Sequence, residues 1–229
     1  MNGKRIVFGL LAVAGLALAP MLIADAVGAA VPPSCRGATN GGGVTGARRM
    51  PVRGANFGAY CLPCVLALRT YGHAPAVEAS VEAYAALAAA RPGTRFLYGE
   101  IGHPWGGRFP PHRTHRNGLS FDYMVPLTSG ELRTGIGNRF GYDESFDAEG
   151  RGASGNIDFD ALAAHLRALL AAAEARGGSI ALVVLAPDLQ DDLDRADPGI
   201  TSAMRFNRRA SWVRHDDHYH VDFAFPCDG

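Results

Sequence analysis

The sequence predicts a single α+β domain in which helices pack on a small sheet. Three observations carry this: apolar residues recur at helical spacing over residues 77–88 and 162–170, an aliphatic and β-branched run occupies residues 179–186, and residues 218–225 alternate with a period of two. At 229 residues, 48% of them apolar, the chain can bury one substantial core and is short for two.

At the N-terminus, Lys4 and Arg5 precede an uncharged apolar run from Ile6 to Ala24, and small residues collect at Ala24, Ala26, Gly28, Ala29 and Ala30. Residues 1–30 therefore read as a secretory signal that is cleaved, leaving no membrane span. The alternative is an uncleaved anchor, since the run is about as long as a bilayer is thick. Either reading puts the remainder outside the cytoplasm, periplasmic or secreted. Residues 31–74 are glycine-rich with little periodic pattern and are expected to form an irregular surface arm, leaving residues 75–229 as the functional domain.

A helix is expected from Pro75, with Val77, Val81, Tyr84 and Ala88 on one face and Pro92 just beyond its end, followed by a strand at residues 95–98. Residues 99–118 hold five glycines and three prolines, which makes them a long ordered loop. Loops of that length inside compact domains are functional or disordered, and the histidines here favour function. Leu119 to Val125 reads as a strand. Asn156 can cap a helix carrying Leu162, Leu166, Leu169 and Leu170, which Gly177 and Gly178 end. Residues 179–186 form a buried strand and residues 187–193 a short helix. In the last strand, His218, His220, Asp222 and Ala224 share one face and Tyr219, Val221, Phe223 and Phe225 the other. One face is core and the other carries chemistry.

With 22 basic and 22 acidic side chains the formal charge is zero, so nothing builds the positive field that nucleic acid binding needs. Four cysteines, Cys35, Cys61, Cys64 and Cys227, suit an oxidising compartment and permit three pairings. Cys35 with Cys227 and Cys61 with Cys64 is the favoured set. The first bond would close nearly the whole domain and contribute roughly 2 to 5 kcal/mol on the chain-entropy view. A thioredoxin-like role for CLPC, residues 61–64, lacks strand-helix-strand context in the preceding RGANFGAY, so a structural disulfide is expected.

Five of the eight histidines fall in two clusters, His112 and His115 in HRTHRNGLSFD and His215, His218 and His220 in HDDHYH. Neutral imidazole and carboxylate are ligands that zinc accepts, and a catalytic site needs three of them with a fourth position left open. If His115 ends the loop and Asp122 points from the following strand, both can face one point. His220 completes the set when the last strand runs beside the first. His218, one pleat along at roughly 6 to 7 Å, reaches a water at the ion rather than necessarily the ion. His73, His103 and His165 have no partner at ligand spacing and read as core or surface residues.

A histidine, three residues to a second, seven more to an aspartate, then a late HDxHxH resembles the penicillin-insensitive murein endopeptidases, within the wider lysostaphin and D-Ala-D-Ala zinc peptidase group. GGRF before the first cluster, IALVVLAPDLQ before the second and the cysteine after the last strand match as well, over residues 95–227. The resemblance implies a largely antiparallel sheet with a mononuclear zinc site on one face. It implies that His115, Asp122 and His220 hold Zn2+, that His218 is the catalytic histidine with His215 assisting it, and that His112 is an extra ligand or touches substrate. The implied reaction is hydrolysis of D-alanyl to diaminopimelate cross-links in peptidoglycan stem peptides by an activated water. No serine nucleophile is needed, which explains indifference to β-lactams. A D,D-carboxypeptidase or dipeptidase of the same chemistry, a non-catalytic cell-wall peptide-binding module and a CLPC thiol oxidoreductase are the alternatives. Ser120 departs from the acidic or small residue common before the ligand aspartate.

Overall fold

The computed structural model describes residues 18–130, 138 and 142–228. Five short strands form the main sheet: β1 (Phe57–Ala59), β2 (Phe96–Tyr98), β3 (Ser120–Met124), β4 (Ser179–Val184) and β5 (His218–Ala224). They lie in the order β4-β5-β3-β2-β1, and every neighbouring pair is antiparallel except β1 with β2. The fold is thus the expected mixed α+β arrangement of a small sheet with flanking helices.

Strand β5 shows why the sheet has two characters. Tyr219, Val221 and Phe223 are 0%, 0% and 2% exposed and enter the core, while His218, His220 and Asp222 alternate with them on the opposite face. The core face is covered by α2 (Ala74–Ala90) and α3 (Phe159–Glu174), which follow the five-residue α1 (Leu62–Leu66) in the chain. Tyr84 of α2 and His165 of α3 stack on each other at 4.7 Å, and both meet Tyr123 of β3 edge-on.

His165 is therefore a core residue. Burial pushes its pKa down to about 3, so the ring is neutral. His103 Nδ1–H donates to the Leu68 carbonyl at 3.2 Å, and His73 is buried at the N-cap of α2.

Two local expectations differ from what the chain does. The cap of α3 is Asp158, which accepts from the Ala161 amide at 2.8 Å, whereas Asn156 pairs with Arg151 in a short hairpin. Residues 31–74, expected as an irregular arm, supply β1 at the edge of the main sheet, helix α1 and fully or nearly fully buried Met50, Phe57, Ala59, Val65 and Tyr71. The strands there are two or three residues long, too short for alternation to show in the sequence.

Both favoured disulfides are present, Cys35–Cys227 and Cys61–Cys64. The first joins an early strand (Ser34–Arg36) to the C-terminal segment, where the Asp228 amide also donates to the Cys35 carbonyl at 2.8 Å. The second sits at the start of α1, with Cys61 Sγ accepting from the Cys64 amide at 3.0 Å. Both its cysteines are buried, in one cluster with Tyr60 and Tyr142.

Candidate metal centre

The register of β3 against β5 builds the site. His220 stands opposite Asp122 and Asp222 opposite Ser120, all four on the face turned away from the helices. His115 arrives from the end of the glycine-rich loop with a left-handed backbone at φ +66°, and His215, just before β5, has φ +56°. Such conformations cost on the order of 1 to 3 kcal/mol in a residue with a Cβ and cluster where function demands them.

His115 is fully buried, and its Nδ1–H donates to the Ile101 carbonyl at 2.8 Å. That bond fixes the tautomer, so Nε2 presents a lone pair. Nε2 has no hydrogen-bond partner and lies 3.3 Å from Asp122 Oδ1. Burial outweighs the pull of Asp122 and keeps the His115 pKa below its ordinary value, leaving the ring neutral. A neutral buried imidazole with a bare nitrogen aimed at a carboxylate has the chemistry to hold a divalent ion.

The same Asp122 oxygen lies 2.9 Å from His220 Nδ1, and His220 Nε2 lies 2.9 Å from Asp222 Oδ1. Burial pulls the His220 pKa down, but the two carboxylates outweigh it and push it up to about 10, so positive charge is favoured between them. Burial raises the Asp122 carboxyl, yet the imidazoles of His115, His220 and His218 outweigh it and hold it well below the usual range. Ligand-capable atoms of His112, His115 and Asp122 lie within 4.8 Å of one another. The donor set of imidazoles and one carboxylate fits a divalent ion of the zinc type.

His218 packs 4.3 Å from the Tyr142 ring and 4.5 Å from that of His215. Its Nδ1 is bonded to Asp217 Oδ1 at 2.6 Å, which leaves Nε2 for other work. His215 Nδ1–H donates to the Val213 carbonyl at 2.7 Å, and burial together with the neighbouring His218 lowers its pKa to about 4.

A family model described as penicillin-insensitive murein endopeptidase matches residues 35–229. The chain belongs to that family. Membership places it among hydrolases that act on murein, and the match begins within the segment that the glycine content alone made look like a lead-in. No curated protein shows a significant match to the chain.

Three residues of this murein endopeptidase family member, Asp222, Glu100 and Tyr142, line the candidate site in roles that the sequence did not assign. Asp222 holds His220 Nε2 and in turn accepts from Ser120 Oγ at 2.5 Å, so the departure at position 120 has a partner across the strands. Glu100 is buried and takes both Arg69 and His112 Nε2, the latter at 2.7 Å. Burial raises its pKa, but His112 and Arg69 hold it below the usual range. Arg69 lies over the Phe109 ring at 3.8 Å, and Phe109 stacks on His115. Tyr142 donates to Asp122 Oδ2 at 3.1 Å and accepts from the Glu100 amide at 2.8 Å.

Tyr142 can reach Asp122 only because residue 99 is glycine: a Cβ there would overlap the Tyr142 hydroxyl. Gly99→Ala is expected to push that ring aside and lower turnover about tenfold, the scale on which partners of metal ligands act. Adding Tyr142→Ala should then cost little more, because both changes remove one interaction. Steady-state rates of the two single variants and the double variant check this, and full additivity would separate Gly99 from Tyr142.

Proposed function

We propose that the protein is a zinc-dependent endopeptidase that cuts the D-alanyl to diaminopimelate cross-link of peptidoglycan, outside the cytoplasm. The observation that carries this is His115 Nε2, a buried nitrogen without a partner that faces Asp122 beside His220. In this reading His115, Asp122 and His220 hold the ion, and His112 is a further ligand or a substrate contact. Bound there, zinc supplies polarisation of the scissile carbonyl and acidification of a water.

The chain's own residues do the rest. Asp222 orients the His220 ring, Tyr142 occupies the second oxygen of Asp122, and Asp217 fixes His218 so that its Nε2 faces the reacting groups. His218 Nε2 then carries a proton towards the leaving amine or steadies the developing oxyanion. His215, neutral beside it, assists without adding a competing charge. Two disulfides and a wall substrate agree with an extracytoplasmic location.

Incubation of the purified protein with cross-linked muropeptides, with and without a chelator, tests the reading. Monomers should appear, stop with chelator and return with added zinc. Release of terminal D-alanine alone would assign a carboxypeptidase. Bound metal without any cleavage would assign a binding role, and activity lost on changing Cys61 but kept in His220→Ala would assign thiol chemistry.

A further inference from the structure

The chain has two tryptophans, Trp105 and Trp212, and neither enters the core. They are 64% and 55% exposed, although tryptophan is highly buried on average. Each sits on a segment that leads into one of the histidine clusters, Trp105 seven residues before His112 and Trp212 three before His215.

The Trp105 indole lies nearly parallel to the His103 ring at 5.7 Å, and His103 is itself held by the Leu68 carbonyl. His103 meets Phe109 edge-on at 4.9 Å, and Phe109 stacks on His115 at 5.4 Å. An unbroken series of rings thus runs from the surface to the candidate metal centre. At the second cluster the carbonyl of Val213, next to Trp212, accepts from His215 Nδ1–H at 2.7 Å. Both indoles are therefore mounted on chain that also positions the candidate centre, and a ring already held loses little freedom on binding.

Exposed aromatic residues on a fixed mount mark a surface that takes a partner. Their surroundings say which. Residues 104–114 and 205–214 contain no acidic residue, and Arg108, Arg113, Arg208 and Arg209 within them are exposed. A second copy of the chain would set these arginines against their like. Murein, on which this family acts, is instead a chain of pyranose rings bearing stem peptides that carry carboxylates. A pyranose presents a face of C–H bonds, which suits the electron-rich face of an indole, and the carboxylates suit the arginines.

We propose that Trp105 and Trp212 are specificity-determining residues that bind the glycan strand of the substrate. Each indole takes the C–H face of a sugar ring while a stem peptide of that strand enters the centre, an inference that rests on the endopeptidase reading.

The test uses cross-linked muropeptide dimers with their disaccharides in place and the same dimers with the sugars removed by an amidase, and kcat/KM is measured on both. In Trp105→Ala and in Trp212→Ala the ratio of sugar-bearing to sugar-free kcat/KM is expected to fall about tenfold, the scale on which loss of an aromatic anchor acts. Trp105→Phe should restore most of it. Ratios equal to that of the native protein would overturn the proposal, because a merely structural change lowers both rates together. A second measurement does not depend on turnover: glycan strands stripped of stem peptides are titrated into the protein while indole fluorescence is followed, each single variant reporting the tryptophan that remains. A saturable change from each indole is expected. Should it appear while neither dimer is cut, the endopeptidase reading fails and glycan binding stands. No response to stripped strands, or a response to anionic phospholipid vesicles alone, would overturn the proposal, the latter by assigning the indoles to a lipid surface.

Discussion

Asp122→Asn is expected to abolish metal binding at the candidate centre and to lower turnover by at least about 10³-fold, with the fold intact. Asn keeps the shape of Asp but not the charge, so the change isolates what the carboxylate does. In the native chain one oxygen of Asp122 faces both His115 Nε2 and His220 Nδ1 while the other accepts from Tyr142. The group is 1% exposed, and surrounding imidazoles keep it ionised against the pull of burial. A neutral amide in that place leaves two imidazoles to bind a dication on their own, and the lost polarisation is worth several kcal/mol of barrier. At about 1.4 kcal/mol per factor of ten, three orders of magnitude is the lower end of that range. Elemental analysis of the purified variant, a thermal melt and muropeptide turnover decide the matter together. Native metal content and turnover in Asp122→Asn would remove Asp122 from the centre.

How this site arises from the chain explains what the sequence made visible. Strand β5 was legible because its period of two has a physical cause: Tyr219, Val221 and Phe223 must enter a core lined by Tyr84 and His165, which forces the alternate residues to the other face. Once β5 lies beside β3, the register that matches Val221 with Phe121 also matches His220 with Asp122. The pairing of two ligand candidates 98 residues apart is therefore a by-product of burying two apolar strands.

What stayed hidden depends on orientation or on contacts with no period. Asp222 was on the visible face, but its role needs the His220 ring turned so that Nε2 points along its own strand, with Ser120 reaching over from β3. Tyr142 and Glu100 meet through a backbone amide, a contact that leaves no trace in residue type. Gly99 looks like one more loop glycine until the Tyr142 hydroxyl is seen lying where its Cβ would be. The contribution of residues 31–74 was lost for a different reason, since Phe57–Ala59 is too short to alternate and takes its place by pairing with Phe96–Tyr98 in parallel.

His218→Ala is expected to leave metal content unchanged and to lower turnover by about 100-fold or more, the scale of a general acid-base or oxyanion group. The argument is positional. His218 pairs with Met124, two residues beyond the match of His220 with Asp122, so it stands one pleat away from the proposed ligands. Its Nδ1 is committed to Asp217 at 2.6 Å, and its ring is wedged between Tyr142 and His215, which fixes the direction in which Nε2 points. A ring held this firmly loses little freedom when it meets a transition state, and preorganisation of that kind is what makes a single hydrogen bond worth orders of magnitude in rate. Truncation to Ala removes the ring and its packing on Tyr142 but leaves in place the direct contacts of Asp122 with His115 and His220. Metal analysis and kcat measured on the same preparation separate the possibilities. Loss of metal would make His218 a ligand, and unchanged kcat would leave proton transfer to another group.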